Sequence, residues 1–253
     1  MLFRSGSYRK NGNSARVVSL IEARLRHEAR RSGERLEIRR LTPGDQEILP
    51  CRGCRVCFDR GEDHCPLKDD LPEIRGAIAW ADGIIMASPV YVSDVSGSVK
   101  TLIDRLAYVC HRPAFMDKNV YLIATTGGSP CSHTLRTLQG AWLSWGAHVV
   151  GSAGFKTGAL TARDEIAARY DRRIDRIAHR FFRAVQSQAH MRPGFIRLMM
   201  FRIQQWNWRQ SDPASVDFEY WDTHGWTDPR RDFFTDHRSS PVTVTLARLV
   251  GSV

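Results

Sequence analysis

Residues 81–106, ADGIIMASPVYVSDVSGSVKTLIDRL, decide the fold. Gly83 to Ala87 (GIIMA) is apolar at every position, as a strand is when both faces of its sheet are covered, so it reads as a buried central strand. The loop Ser88 to Lys100 leaves that strand. Val99, Leu102, Ile103 and Leu106 then recur at the spacing of one helix face. Strand, loop and amphipathic helix in succession are the repeating unit of a parallel sheet covered by helices.

The same alternation extends in both directions. Upstream, Met1 to Arg4 reads as a short first strand, followed by a helix from Ser14 with Val18, Ile21 and Leu25 on one face and Gly33 as its stop. Leu36 to Leu41 is the second strand. Asp70 with Glu73 resembles a capping box opening a helix that carries Leu71, Ile74 and Ile78. Downstream, Val120 to Thr125 is the fourth strand, Leu135, Leu138 and Trp142 mark a helix, and Ala147 to Ala153 is the fifth strand. A long helix begins near Thr161, with Ile174, Ile177, Phe181 and Val185 facing the core. Five strands alternating with five helices predict an α/β fold: a flavodoxin-like, doubly wound, five-stranded parallel sheet over residues 1–187. Residues 188–253 change character, with FIRLMMFRIQQWNW aromatic and basic and the segment after it rich in turn formers. They are expected to form a helical or irregular appendage that packs on the domain or in an oligomer interface, a homodimer or homotetramer.

The chain has 253 residues, 42% of them hydrophobic, and no apolar run approaching the roughly 20 residues of a membrane-spanning helix. MLFRSGSYRK lacks the apolar core of a secretory signal, so the six cysteines are expected in a reducing cytoplasm, which disfavours disulfides. The formal charge of +10 suits an anionic partner. Its arginines are nevertheless spread along the chain without the interleaved aromatics of an RNA-reading surface, and no nucleic acid is expected.

Three loops carry the candidate chemistry. The turn Gly6 to Ser14, GSYRKNGNS, precedes the first helix, where backbone N–H groups attract an anion. Ser7, Arg9, Asn13 and Ser14 would add hydroxyl, amide and guanidinium donors to a terminal phosphate. The turn is neither a Walker A loop nor a GxGxxG turn. In the second loop, Pro89 and Tyr91 would wall a flat aromatic ring. The third, Thr125 to Ser132 (TTGGSPCS), allows close backbone approach to a ligand. Together they make one site at one sheet edge.

Cys51, Cys54, Cys57 and Cys65 fall within CRGCRVCFDRGEDHCP, with glycines at 53 and 61 that allow the chain to bring them together. The CxxCxxC spacing followed by Cys65-Pro66 resembles the loops that present thiolates to a cubane iron–sulfur cluster. The same thiols also suit tetrahedral zinc, with His64 able to replace one of them, and a loop of free thiols is the third alternative. Of the other cysteines, Cys110 reads as core, while Cys131 lies beside the glycine turn. Lys100, Asp104 and Arg105 read as a solvated or packing helix face, and His133 as a helix-start residue.

GSYRKNGNS, CRGCRVC, KDDLPEI, residues 81–106 and TTGG, in that order, resemble the NAD(P)H-dependent FMN reductase family of flavodoxin-like proteins, close to its iron–sulfur flavoprotein branch. The resemblance covers residues 1–187, and WDTHGW looks like the tail of some members. It implies an FMN whose phosphate sits on Ser7, Arg9, Asn13 and Ser14. The ring would lie against Pro89, Val90 and Tyr91 and the Thr126, Gly127, Gly128 turn. Two departures stand out: a short first strand, which implies a start upstream or a frayed edge, and a longer Cys57 to Cys65 gap than the branch shows.

The expected activity is FMN-dependent oxidation of NAD(P)H, with electrons passed to a quinone, flavin, other small acceptor or redox protein. The net charge leans toward the phosphorylated nicotinamide. No catalytic acid or base is assigned, because the chemistry belongs to the flavin N5. The alternative is an electron carrier in which a 4Fe–4S cluster on Cys51, Cys54, Cys57 and Cys65 relays single electrons through FMN. A weaker alternative is a zinc-bearing binding or regulatory module.

Overall fold

The computed structural model describes residues 1–42, 45–158, 162–187 and 192–252. Among them, β1 (Leu2–Ser5), β2 (Arg39–Leu41), β3 (Gly83–Pro89), β4 (Asn119–Thr126) and β5 (His148–Lys156) form a parallel sheet in the order β2-β1-β3-β4-β5. Its weight lies in β3, β4 and β5, with seven, eight and nine residues, while β1 and β2 have four and three. The second strand starts later than Leu36: its ladder with β1 begins at the Leu2–Arg39 pair, and ahead of it Glu37 O is engaged by the Met1 amino group at 2.8 Å. Conversely, β5 runs past Ala153 to Lys156 because Thr125 and Thr126 continue the ladder.

The strands separate two cores, as side-chain alternation along a strand requires. Ile84, Met86, Val120 and Leu122 face one side, beneath α3 (Leu71–Trp80), α4 (Gly97–Arg105) and α5 (Ser132–Ser144). Ile85, Ala87, Tyr121 and Ile123 face the other, beneath α1 (Asn13–Ser32) and α6 (Arg163–Gln186). Ile174, Ile177 and Phe181 of α6 are buried there as their spacing predicts, whereas Thr161 lies outside the described residues. From β1 the chain goes to β2 on one side and then to β3 on the other. The order therefore reverses between β1 and β3, and the carboxyl ends of those strands flank the crevice that open α/β sheets use for ligands.

Two local expectations fail. Asp70 makes no side-chain cap for α3. Asp69 Oδ1 accepts from Leu71 N–H at 3.1 Å instead, and Asp70 Oδ2 is drawn to Glu47 N–H at 2.8 Å. Cys110 is only half-buried, its Sγ 3.8 Å from Ser144 Oγ.

Most of the tail's described residues are helical: α7 (Phe195–Arg209), α8 (Val216–Thr223) and α9 (Pro241–Val250). They enclose a third core of Leu198, Phe201, Trp221, Trp226, Phe233 and Ala247, because aromatic side chains bury enough area to hold a small helical unit. The tail docks on residues 110–113. Gln204 Nε2 donates to Cys110 O at 3.0 Å, Trp221 Nε1 to His111 O at 2.7 Å, and the Tyr220 hydroxyl to Pro113 O at 2.7 Å. Among the described residues no helix is long and apolar enough to cross a membrane.

Candidate cofactor and thiol site

A cavity of about 370 Å³ opens at the carboxyl edge of the sheet. Ser7, Arg9, Asn13 and Ser14 from the first loop line it, as do Pro89, Val90 and Tyr91 from the second and Thr126 and Gly127 from the third. Of the ten residues singled out for a flavin, Gly128 alone is not part of the lining. Thr157 and Gly158 are additional lining residues. The sequence hid them because β5 reads as ending at Ala153.

The first loop leads into a helix N-terminus that could hold an anion. The first backbone bond of α1 runs from Arg16 N–H to Gly12 O at 3.0 Å, so the amides of Asn13, Ser14 and Ala15 precede the helical ladder. The N-terminus has no side-chain cap and no acidic residue in its first turn, which leaves the positive end of the helix dipole uncompensated. Two of the loop's side chains are engaged within the protein. The Ser14 hydroxyl is buried and shares a hydrogen with Thr125 Oγ1 at 2.6 Å, while Asn13 Nδ2 donates to Gly158 O at 2.7 Å. Both therefore brace the loop, while Arg9 on the same cavity lining is exposed.

Gly6 fixes the loop against the next helix. Its N–H donates to Ala87 O at 2.7 Å, and its carbonyl accepts from the Ser96 and Ser98 hydroxyls at 2.6 and 3.0 Å. A Cβ there would stand 2.2 Å from Val99 Cγ2.

In the second loop, Tyr91 and Asp94 exchange backbone hydrogen bonds at 2.9 and 3.1 Å. The turn they close puts Val92 and Ser93 at φ 47° and 69°. A β-branched residue at positive φ is strained, and strain of this kind is held where a ligand loop needs a fixed shape. Val90 N–H anchors the loop to Thr125 O at 2.8 Å. At Gly127 and Gly128 an added Cβ would meet nothing within 4 Å, so the third loop leaves open space at the mouth. A flavin phosphate on the first loop with its ring beside the other two fits these features. Cys131 lies behind the loop, packed against Gly154 with its Sγ 3.7 Å from Ala124 O, and is not in the cavity lining. His133 sits 3.5 Å from Asp94 Oδ2.

A second cavity, about 930 Å³, shares Arg9 and Tyr91 with the first and extends along Asp45 to Pro50, the segment that leads into the cysteine run. Beyond it, Cys51, Cys54, Cys57 and Cys65 all line one further cavity of about 320 Å³. Gly53 and Gly61 supply the bends at φ 65° and 97°, and Arg55 adopts φ 62° before the four-residue helix α2 (Val56–Asp59). Gly53 N–H points at Cys51 Sγ, 3.4 Å away. Burial, with the nearby Cys51 and Cys65 thiols, pushes the Cys57 thiol up. Among the described residues no three such side chains already stand at metal-binding spacing. The donor set nonetheless suits a thiolate-ligated group: four thiols line one hollow, and the repulsion among their deprotonated forms is what a bound cation would relieve.

Two buried guanidinium groups flank the thiols. On the helix face that reads as solvated or packing, Lys100 and Asp104 are the solvated part, an exposed pair at 2.6 Å, and Arg105 is the packed part. Arg105 itself is 3% exposed and pairs with Asp69, 2% exposed; it also donates to Leu49 O at 2.8 Å and approaches Cys65 Sγ at 3.8 Å. Burial opposes ionisation of Asp69, but Arg105 and the Leu49 and Leu71 N–H groups outweigh it and hold the carboxyl below the usual range. Arg112, equally buried, bonds Asp217, Glu62 Oε2 at 3.2 Å and Cys57 O at 2.5 Å. Sequence spacing gives no sign of either pair, since their partners lie 36 and 105 residues away.

The profile of NADPH-dependent FMN reductases matches residues 1–159. The chain belongs to that family. Among curated relatives, an iron-sulfur flavoprotein of Archaeoglobus fulgidus is 35% identical over 45% of this chain and 48% of its own length. One of Clostridioides difficile is 26% identical over 73% of this chain and 78% of its own. The chain thus spans about half the length of the first of these relatives. Among solved structures, RosB with a bound 8-demethyl-8-formylriboflavin-5'-phosphate intermediate aligns over 95% of this chain and 91% of its own, with a TM-score of 0.55 and 13% identity. That likeness shows the flavodoxin-like fold.

Proposed function

We propose that this protein is an FMN-dependent oxidoreductase that takes electrons from NAD(P)H and passes them to a quinone, a flavin or another small acceptor. The observation that carries the reading is the convergence of three separate loops, centred on Ser7–Ser14, Pro89–Tyr91 and Thr126–Gly127, on one cavity at the order reversal of the sheet. A bound FMN supplies the redox chemistry, accepting two electrons from the nicotinamide and releasing them to the acceptor. The chain's part is to bind and orient. The first-turn amides of α1 and the Arg9 guanidinium neutralise the phosphate, the strained Tyr91–Asp94 turn presents a rigid wall, and Gly127 keeps the mouth open.

The test is FMN titration of the apoprotein by quenching of flavin fluorescence, followed by anaerobic addition of NADPH or NADH. Arg9→Ala with Ser7→Ala should weaken FMN roughly tenfold or more, the value of a lost charge-assisted contact or two. Unchanged affinity would show that the phosphate lies elsewhere, and failure of the wild type to take up FMN would end the reading.

A second reading is favoured by the four thiols on one cavity and by relatives named iron-sulfur flavoprotein. Cys51, Cys54, Cys57 and Cys65 would then hold a 4Fe–4S cluster, which supplies one-electron transfer. Roughly four irons per chain after anaerobic reconstitution support it, whereas zinc alone, or no metal, refutes it.

A further inference from the structure

We propose that the C-terminal helices clamp the cysteine loop, with Arg112 and Asp217 as positioning residues that hold Cys57 and its neighbours in place for a metal group. The inference rests on the second reading above and gives the tail a role in it.

Between Cys51 and Cys65 no residue is fully buried. The helix in this segment has four residues, far below the length at which a helix holds itself. With glycines at two bends, the loop cannot order itself by burial or propensity, so its order must come from outside.

The domain gives some of it, through Arg75 on Glu62 at 3.1 Å and the packing of Cys57 and Phe58 on the core beneath α3 to α5, and a relay from the tail adds the buried part. Asp217, in the first turn of α8, takes Arg112 on Oδ1 and His111 Nδ1 on Oδ2, the latter at 2.8 Å. Arg112 then reaches across to Cys57 O and Glu62, both in the loop. Alongside, the His111 ring sits between Phe58 of the loop, centroids 4.8 Å apart, and Trp208 of α7, 5.1 Å apart. Arg112 is 3% exposed and Asp217 9%, so the bridge is shielded from water and salt. Removing Asp217 leaves a buried guanidinium without its main counter-charge, and Arg112 then has reason to swing out and release the Cys57 carbonyl.

The experiment uses the full-length protein without metal, under anaerobic conditions. Iodoacetamide alkylation of each cysteine is followed by peptide mass spectrometry in the wild type, Asp217→Asn and Asp217→Glu. Cys57 should react about tenfold faster in the Asn variant, the expected gain from loosening a buried charge pair. The exposed Cys51 and Cys54 should change less, and Glu should restore slow reaction. After loading with ferrous iron and sulfide, the Asn variant should lose iron to bathophenanthroline about tenfold faster, with FMN affinity unchanged. If the Asn variant fails to take up FMN and is thus misfolded, Glu62→Gln at the half-exposed rim gives the same readouts, expected roughly threefold. Cys57 reactivity and iron loss within twofold of wild type in the folded variant overturn the clamp while the cluster reading stands. A wild type that takes up no iron overturns that reading, and the clamp's purpose with it.

Discussion

Replacing Arg105 with Met tests the physics beside Cys65 most directly. Methionine keeps much of the side-chain volume but leaves the Asp69 carboxylate, 2% exposed, without its cation and strips Leu49 O of its donor. Removing one partner of a buried pair destabilises by about 3–5 kcal/mol. For a chain of this size that lowers Tm by roughly 6–20 °C, at about 2–4 °C per kcal/mol. Changing both partners, Arg105→Met with Asp69→Leu, should recover much of the loss, because no unpaired charge then remains. The sign with pH follows from Asp69. Its folded-state pKa is depressed, so the pair's stabilisation is present above the unfolded carboxylate value, about 3.9, and fades as pH falls through the lower folded value. The gap between wild type and Arg105→Met, measured by urea unfolding with circular dichroism, should therefore be full at pH 7 and shrink below about pH 4. A gap under about 1 kcal/mol at pH 7, or one that persists undiminished at pH 3, refutes the pair as the structural anchor.

Gly6→Ala should lose FMN binding and about 1–3 kcal/mol of stability, since its Cβ would overlap Val99 Cγ2 at 2.2 Å and crowd Ser96 Oγ at 2.8 Å; a fluorescence titration and a thermal melt check both. Val92→Gly should raise Tm by the equivalent of about 1 kcal/mol, because glycine accepts φ 47° without strain; a lower Tm would mean that the turn is not strained.

Much of the architecture was legible in the chain because it is periodic. GIIMA and the Val99, Leu102 and Leu106 stripe obey short-range rules, and a parallel sheet needs little else to be recognised. The first loop was legible for the same reason: it is a contiguous turn feeding the N-terminus of α1. Element ends were not, because β2 and β5 begin or stop where a neighbouring strand offers partners, at Arg39 and Lys156. Nor were the internal hydrogen bonds of the first loop, where Ser14 and Asn13 turn to Thr125 and Gly158.

The sequence by itself determined the α/β order of elements, the three loops that line one cavity and the four clustered thiols, all set by neighbours a few residues apart. Tertiary structure alone decided which buried charges surround those thiols. Arg105 looks like any other basic residue on an amphipathic helix, and Asp217 like a turn-region acid. Each becomes special only when folding brings a counter-charge from a distant segment into a place that water cannot reach, where an unpaired charge is costly and a paired one fixes the geometry.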